Sequence, residues 1–164
     1  MQSIIETFVT LCYLVYVIPK ISQIQYKDSH MKTYEEKKEN LRRQIRRYAR
    51  EDLIVAFSGG VDSSLLLKIA CDAARETGKN VCGIFLKTML HPAKEAEDAQ
   101  KLAREMGAFF RILESDELEG AGIADNPLDR CYRCKRYLFK EIQKEAERSG
   151  VSRILEGTKE DDIP

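Results

Sequence analysis

The sequence lacks three features that would each point to a common class of protein. Its 27 Lys and Arg residues balance 27 Asp and Glu residues, so no global basic field favours nucleic acid. Its longest apolar run, residues 7–18, is short for a membrane span, and the basic start and small-residue cleavage site of a signal peptide are missing. Its five cysteines do not have the spacing typical of a disulfide framework in a small secreted protein. We therefore expect a cytoplasmic protein whose partners are neither membranes nor nucleic acids.

One segment, residues 53–64 with the sequence LIVAFSGGVDSS, carries the strongest chemical signal. An apolar strand runs into a glycine turn, and a helical pattern begins at once. A helix N-terminus binds anions through unpaired N–H groups and the positive end of its dipole, and glycines let the backbone approach a phosphate closely. Asp62 would repel a phosphate unless a cation lies between them, and Mg²⁺ is the usual cation. The segment predicts a phosphate site with magnesium at Asp62.

The loop is not a Walker A motif, because no Gly-Lys-Ser/Thr follows its glycines. It is not a dinucleotide fingerprint either, because its glycines lack the GxGxxG spacing. It resembles the PP-loop of ATP pyrophosphatases, enzymes that cleave ATP between the α and β phosphates. The nucleotide site is expected to extend to the neighbouring strand ends, because backbone groups around Phe85–Lys87 end the second strand beside the loop and would meet adenine, and Gly157 and Thr158 would border the nucleotide. The expected ATP-binding residues are Ala56, Phe57, Ser58, Gly59, Gly60, Val61, Asp62, Ser63, Ser64, Phe85, Leu86, Lys87, Gly157 and Thr158.

The rest of the chain alternates between strand and helix patterns. We predict strands at residues 53–57, 81–86, 109–113 and 153–155, and helices at residues 34–50, 63–76, 92–106 and 132–149. Such alternation is typical of an α/β, Rossmann-like parallel sheet with flanking helices, here with an incomplete C-terminal part. Ligands of these folds bind beyond the carboxyl ends of the strands, so the segments 58–64, 87–91, 114–130 and 156–162 are expected to line one cleft.

The chain divides into an apolar extension, residues 1–30, and a nucleotide-binding domain, residues 31–164. The extension is interpreted as a packed element, a weak anchor or an upstream segment outside the working protein, and we favour the last because Met31 reads as a natural start. The helix at residues 34–50 has a basic face with five arginines. A solvated surface explains that face better than a tRNA site does, since one basic helix is weak evidence.

Cys131 and Cys134 form a CxxC motif at the start of the last predicted helix. Two thiols at this spacing can share a metal, and a helix N-terminus lowers the pKa of a thiol. The motif alone fits half a zinc site, part of an iron–sulfur site or a redox pair. Cys71 and Cys82 fall in a predicted helix and strand, where a core-filling role is expected.

Residues 126–136, NPLDRCYRCKR, and residues 155–162, LEGTKEDD, resemble two motifs of the LarE-type ATP-dependent sulfur transferases. With the PP-loop, three motifs stand in family order. The resemblance implies an enzyme that adenylates a carboxylate of a pyridinium dicarboxylate mononucleotide, releases pyrophosphate and then transfers sulfur, a step in making the nickel-pincer nucleotide cofactor. Asp62, Cys131 and Cys134 would be the catalytic residues. In some family members a single cysteine gives up its own sulfur. In others three cysteines bind a [4Fe–4S] cluster that carries an extra sulfide, and Cys131 and Cys134 would be two of those ligands.

The sequence departs from this family in two ways. The third cluster cysteine lies beyond the Gly-Thr motif in the family, whereas this chain ends at Pro164, and Lys159 and Arg133 replace the usual Asn and His. We therefore expect a C-terminally truncated sulfur transferase that acts as a homo-oligomer or with a separate C-terminal half. The alternatives are another adenylating PP-loop enzyme, acting in tRNA thiolation or in amidation as NAD, GMP and asparagine synthetases do, and an ATP-binding fragment without turnover.

Four further side chains each have two interpretations. Lys87 and His91 follow the second strand, where each could contact phosphate or acceptor, although an exposed role is more common. Lys135 and Arg136 follow the CxxC motif and could bind an anionic substrate or remain solvated on the helix surface.

Overall fold

A computed structural model describes residues 13–14, 33–89 and 92–159 of the chain, with the side chains of residues 13, 14, 93, 158 and 159 left aside. The strands are β1 Tyr13–Leu14, β2 Leu53–Ala56, β3 Val81–Thr88, β4 Phe109–Ser115, β5 Arg153–Leu155 and β6 Thr158–Lys159. The helices are α1 Tyr34–Tyr48, α2 Val61–Thr77, α3 Ala93–Met106, α4 Glu117–Gly120 and α5 Arg130–Arg148.

Four strands form one parallel sheet in the order β4-β3-β2-β5. The chain moves outward from β2 through β3 to β4 and then returns to pair β5 with the other side of β2. Right-handed crossovers require the helices of the outward and return paths to lie on opposite faces. The predicted α/β Rossmann-like sheet with four parallel strands is therefore confirmed.

The two faces of the sheet have separate apolar cores. Helices α1, α2 and α3 cover the first face, where the core includes Ile45, Leu66, Leu67 and Phe85. Helix α5 covers the second face with a smaller core in which Ile142 and Ala146 pack on the sheet, together with Ile54, Ile84 and Ile154. Each strand of the centre is thus buried on both sides, which explains its continuous apolar sequence.

The helices begin and end where local chemistry predicts. Thr33 caps α1 in a reciprocal pair with Glu36, its hydroxyl accepting from the Glu36 N–H at 3.3 Å while the Thr33 N–H donates to the carboxylate at 3.1 Å. Gly78 and Gly107 end α2 and α3 in the left-handed conformation, at φ of 68° and 84°. Since α2 and α3 each follow one parallel strand and lead into the next, they start at the carboxyl edge of the sheet and end at its amino edge.

Several predicted boundaries were wrong. Strands β3 and β4 extend to Thr88 and Ser115 because seven residue pairs join them, from Cys82↔Phe109 to Thr88↔Ser115. The expected loop at residues 114–130 therefore begins with the end of a strand, and it also contains the short helix α4. Helix α5 starts at Arg130, two residues before its predicted start, so the CxxC motif lies inside its first turns.

Two residues of the N-terminal extension are described, and they form β1. Tyr13 and Leu14 pair antiparallel with Lys159 and Thr158 of β6. The remainder of the predicted extension, residues 1–12 and 15–30, lies outside the described residues, as do the expectations for His91 and for residues 160–164. The proposed division at residue 30 stays a prediction.

Candidate functional site

The loop between β2 and α2 is held by its own serines. The Ser58 N–H donates to the Ser63 hydroxyl at 3.3 Å, and the two hydroxyl oxygens lie 3.1 Å apart. The Ser63 hydroxyl donates to the Gly60 carbonyl at 3.0 Å, and the Gly60 N–H donates to the Ser58 hydroxyl at 3.3 Å. Ser63 is buried, so its hydroxyl organises the loop from beneath.

Gly59 has a backbone conformation that requires glycine. Its φ is 77°, and a Cβ added there would lie 3.3 Å from the Cβ of Ala99 in α3. A side chain would be strained by the φ angle and would also press on Ala99. The glycine therefore lets the loop turn tightly while packing against the next helix.

Helix α2 begins with Gly60 as its N-cap, and no side chain caps it. The N–H groups of the first helical residues have no partner within the helix and carry the positive end of its dipole. Asp62 lies in this first turn. The geometry is that of an anion site with a carboxylate at its edge.

Gly157 brings the end of β5 against the same helix turn. A Cβ added at Gly157 would lie 3.5 Å from the backbone and side chain of Asp62 and from the Ser63 nitrogen. Since β5 and β3 pair with opposite sides of β2, this is the point where the strand order reverses, and α/β sheets bind ligands in that crevice.

A cleft of about 740 Å³ opens at this point. From the expected nucleotide residues it is lined by Ala56, Phe57, Ser58, Gly59, Gly60, Val61, Asp62, Ser63, Phe85, Leu86 and Gly157. The volume lies within the range of small-molecule and cofactor sites, and the walls combine apolar side chains with a few polar groups.

Other expected residues lie elsewhere. Ser64 turns back to the loop, its hydroxyl donating to the Gly59 carbonyl at 3.4 Å. Lys87 pairs with Glu114 across β3 and β4 at 2.9 Å, which holds the pKa of the Glu114 carboxyl below its usual value. Of Thr158 only the backbone is described, in β6.

The prediction that four loops line the cleft was partly wrong. The described residues of 87–91 and 114–130 are not among its lining residues. Two helix faces take their place. Glu95, Asp98, Ala99 and Leu102 come from α3, Lys135, Leu138, Phe139 and Ile142 come from α5, and Glu156 follows β5.

Sequence reasoning missed most of these helix residues, although a signal was present. Both sets have the spacing i, i+3, i+4, i+7, the stripe that a helix presents to one neighbour. That spacing shows a common face but not what the face contacts. The crossing of each helix over the carboxyl edge had to be seen in three dimensions.

Cys131 and Cys134 lie in the first turns of α5, as predicted, and are not among the residues lining the cleft. Cys131 is exposed and Cys134 is partly buried. The expected lowering of the thiol pKa is wrong for Cys134. Burial raises the pKa of Cys134, and the negative charges of Glu117 and Cys131 raise it further.

The other described cysteines fill the core. Burial raises the pKa of Cys71 to about 11 and also raises the pKa of Cys82. Thiols with raised pKa values are poor nucleophiles and poor metal ligands at neutral pH. Both contact apolar clusters instead, Cys71 on the first face of the sheet and Cys82 on the second.

The metals implied by the resemblance fit the site differently. Asp62 borders the anion site, and a carboxylate beside phosphates is the usual donor for Mg²⁺, so this residue fits a magnesium ion. A [4Fe–4S] cluster needs more cysteines than the CxxC motif has. Within residues 33–89 and 92–159, no three His, Cys, Asp or Glu side chains are grouped to hold a metal. The described residues do not fit the cluster.

Acidic side chains of the same protein neutralise part of the positive charge on the basic face of α1. Arg46 contacts Glu39 at 3.8 Å and Glu76 of α2 at 3.4 Å, and Arg43 donates to the Asn40 side chain at 2.6 Å. These contacts favour the solvated interpretation of this helix. None of the described helices has both the length and the apolar character that a membrane span requires.

The chain is similar to a known protein family and to several known proteins. A PP-loop domain family matches residues 31–163. The chain is 33% identical to an uncharacterized Synechocystis protein over 129 residues, which is 79% of this chain and 46% of that protein. It is 33% identical to a pyridinium-3,5-bisthiocarboxylic acid mononucleotide synthase of Lactiplantibacillus plantarum over 103 residues, 63% of this chain and 37% of that protein. The chain spans less than half the length of these relatives.

Solved structures show the same fold. The U34-tRNA thiolase NcsA of Methanococcus maripaludis, with its [4Fe-4S] cluster, superposes with a TM-score of 0.58 at 17% identity, covering 77% of this chain and 48% of that one. The NH3-dependent NAD synthetase of Campylobacter jejuni gives 0.54 at 17% identity, covering 77% and 56%. With the matching family and the loop geometry, these findings mean that the chain belongs to the PP-loop ATP pyrophosphatase family.

Proposed function

We propose that the chain is the nucleotide-binding part of an ATP-dependent sulfur transferase that adenylates a carboxylate and releases pyrophosphate. The observation that carries the proposal is the serine-lined loop at the uncapped start of α2, facing a cleft that Gly157 and α5 complete. The acceptor is a mononucleotide with a pyridinium carboxylate, as the name of the Lactiplantibacillus relative indicates. The product serves the nickel-pincer nucleotide cofactor, as the motif resemblance implies.

The first step activates the acceptor. A carboxylate is a poor electrophile, so its oxygen attacks the α-phosphorus of ATP, and pyrophosphate leaves. The loop N–H groups and the start of α2 stabilise the charge that develops on the departing pyrophosphate. Asp62 would hold Mg²⁺, which when bound neutralises phosphate charge. We expect Ser58 and Ser63 to keep the loop in shape, since their hydroxyls bond to each other and to the loop backbone.

The second step exchanges the adenylate for sulfur. A sulfur nucleophile attacks the acyl carbon and AMP leaves. Cys131 is exposed at the start of α5, and Lys135 of the same helix lines the cleft, so the CxxC turn lies beside the nucleotide site. We propose that the Cys131 thiolate is this nucleophile: its sulfur forms a thioester as AMP leaves, and loss of the Cys131 Cα proton with cleavage of its Cβ–S bond then releases the thiocarboxylate and leaves dehydroalanine at position 131. Cys134, the second thiol of the motif, lies one helical turn further along α5.

The acceptor distinguishes this function from the others that the fold allows. Relatives include tRNA-specific 2-thiouridylase MnmA of Rickettsia bellii and glutamine-dependent NAD(+) synthetase of Aquifex aeolicus. The CxxC motif favours sulfur over ammonia, and the ion pairs on α1 leave less positive charge for tRNA. An ATP-binding fragment would bind nucleotide but release no pyrophosphate.

Acceptor-dependent pyrophosphate release tests the proposal. The chain is incubated with Mg·ATP and pyridinium-3,5-biscarboxylic acid mononucleotide, and pyrophosphate, AMP and thiocarboxylate are measured. We expect pyrophosphate release to be lost in Asp62→Ala. We expect Cys131→Ala to release pyrophosphate without thiocarboxylate, and the core variant Cys82→Ala to behave as wild type. Pyrophosphate release that needs tRNA or ammonia instead of the mononucleotide would overturn the proposed acceptor.

A further inference from the structure

The charged residues that line the cleft are mostly acidic. Among its described lining residues, Asp62, Glu95, Asp98 and Glu156 are acidic and Lys135 alone is basic. A polyphosphate is itself anionic, so carboxylates on three sides oppose its entry. Besides a divalent cation and the start of α2, Lys135 is the group that can attract it.

Lys135 is held by a specific partner. Its ammonium nitrogen lies 3.2 Å from Oε1 of Glu156, with the Lys135 side chain 54% exposed and the Glu156 side chain 15% exposed. An ammonium has three donors and no acceptor, so Lys135 can stay on Glu156 and also donate to a phosphate. The mostly buried carboxylate therefore fixes the position of the Lys135 ammonium, which can still interact with a phosphate.

The position of Glu156 is set by the sheet. It directly follows Leu155, which is fully buried and pairs with Val55, and it precedes Gly157, which packs on the first turn of α2. Its second oxygen, Oε2, is buried and accepts no hydrogen bond from the described residues. Since an unsatisfied buried carboxylate oxygen is costly, such a placement indicates a role other than stability.

Lys135 also connects the nucleotide cleft to the sulfur chemistry. It follows Cys134 in sequence and lies on the face of α5 that lines the cleft with Leu138, Phe139 and Ile142. A phosphate bound by Lys135 is therefore at the end of the cleft nearest the CxxC motif. In adenylation the α-phosphate of ATP stays with the acceptor, so it is the phosphate expected at this end of the cleft.

We propose that Lys135 binds the α-phosphate of ATP, and that Glu156 is a positioning residue that holds the Lys135 ammonium at this site. The inference rests on the proposed function and adds two residues to it. Lys135 would stabilise the charge that develops at the α-phosphorus during adenylation, whereas the loop at the start of α2 binds the pyrophosphate that leaves.

Kinetics of Lys135→Met, Lys135→Arg and Glu156→Gln test this proposal, with Lys140→Met as the control on an exposed position of α5. We expect Lys135→Met to lower kcat for pyrophosphate release about 100-fold, with a smaller change in KM for ATP. Lys135→Arg should restore part of the loss, and Glu156→Gln should lower kcat roughly 10-fold. Lys140→Met should match wild type.

Two results would overturn the inference. One is a Lys135→Met enzyme with the kcat of Lys140→Met, and the other is a change confined to KM, which would place Lys135 away from the reacting phosphate. Calorimetric titration with Mg·ATP separates this failure from failure of the proposed function. Wild type that binds Mg·ATP and releases pyrophosphate, beside an unaffected Lys135→Met, refutes the inference alone. Wild type that does neither refutes both.

Discussion

Gly59 shows how one residue sets the geometry of the loop. Its positive φ turns the chain from β2 into α2, and its missing Cβ lets the loop rest on Ala99. Gly78, at the end of α2, has a similar φ of 68° but nothing within 4 Å of an added Cβ. The pair separates the effect of backbone strain from that of contact.

We expect Gly59→Ala to destabilise the fold more than Gly78→Ala does. Both variants carry left-handed strain of about 1–2 kcal/mol, and Gly59→Ala adds overpacking against Ala99 of roughly 1 kcal/mol. Urea denaturation measures the difference, and calorimetry should show weaker Mg·ATP binding in Gly59→Ala alone. Equal losses of stability and unchanged ATP affinity in both variants would contradict this account of the loop.

Cys134 provides a second test on the scale of a residue. Because burial and the charges of Glu117 and Cys131 raise the pKa of Cys134, a smaller fraction of it is thiolate at a given pH than for a free thiol. Removing the Glu117 charge should lower the pKa and speed alkylation. The Glu117→Gln change is made in a Cys12→Ser, Cys131→Ser background, and the iodoacetamide reaction is followed from pH 7 to pH 10.

The expected result is a pH profile for Cys134 that shifts to lower pH in Glu117→Gln. The variant Glu119→Gln, exposed on the same short helix, serves as the control and should leave the profile in place. An unchanged profile in Glu117→Gln would show that the charge of Glu117 does not reach the thiol.

The role of a residue could be predicted from the sequence where the local backbone determines it. It could not be predicted where the role depends on contacts with distant residues. The glycine turn and the carboxylate of Asp62 follow from a strand that runs directly into a helix. The expected pKa direction for Cys134 was wrong because the sequence shows the helix start but neither the burial of the thiol nor the nearby Glu117, which is buried in α4. Likewise, nothing in the sequence alone shows the contact between Lys135 and Glu156.

At the scale of elements, the order of strands and helices was predictable from periodicity, whereas the walls of the cleft were not. The long pairing of β3 with β4 extends to Thr88↔Ser115 and includes the Lys87–Glu114 ion pair, and the residues that follow β4 fold into α4. Helices α3 and α5 instead supply the lining. The i, i+3, i+4, i+7 spacing of their lining residues was visible in the sequence, but such a stripe does not say whether it faces core or ligand.

Helix α5 gives the prediction at this scale. Among the described helices, it alone provides residues for the core on the second face of the sheet, where Ile142 is 2% exposed. We expect Ile142→Ala to lower the free energy of unfolding by about 2–4 kcal/mol, because a buried Ile leaves a cavity. The exposed Leu128→Ala should change it by less than about 0.5 kcal/mol. Equal urea midpoints for the two variants would mean that α5 contributes no core.

On the scale of the whole molecule, the strand order determines where the site lies. The chain leaves β2 on one side and returns as β5 on the other, so the PP-loop and Gly157 meet at the reversal. This could be predicted as a rule for parallel sheets, but the order β4-β3-β2-β5 itself depends on contacts far apart in sequence. The mainly parallel fold was therefore predictable, and the pairing of β5 with β2 was not.

Binding of nucleotide should stabilise the entire domain. At a ligand concentration of one hundred Kd the gain is about 2.7 kcal/mol, or roughly 8–10 °C in Tm for a domain of this size. We expect this shift with Mg·ATP, a smaller one with ATP and EDTA, and a similarly small one with Mg·ATP in Asp62→Ala. The same variant without nucleotide controls for its own stability. A shift that does not depend on magnesium would remove the role assigned to Asp62.

The most direct test of the central claim, that the start of α2 binds the phosphates of ATP, is a backbone amide NMR titration with Mg·pyrophosphate. The account predicts the largest shifts at the amides of residues 59–64, a smaller one at Gly157, and little change along α1. Shifts concentrated on the arginines of α1, with residues 59–64 unmoved, would contradict it.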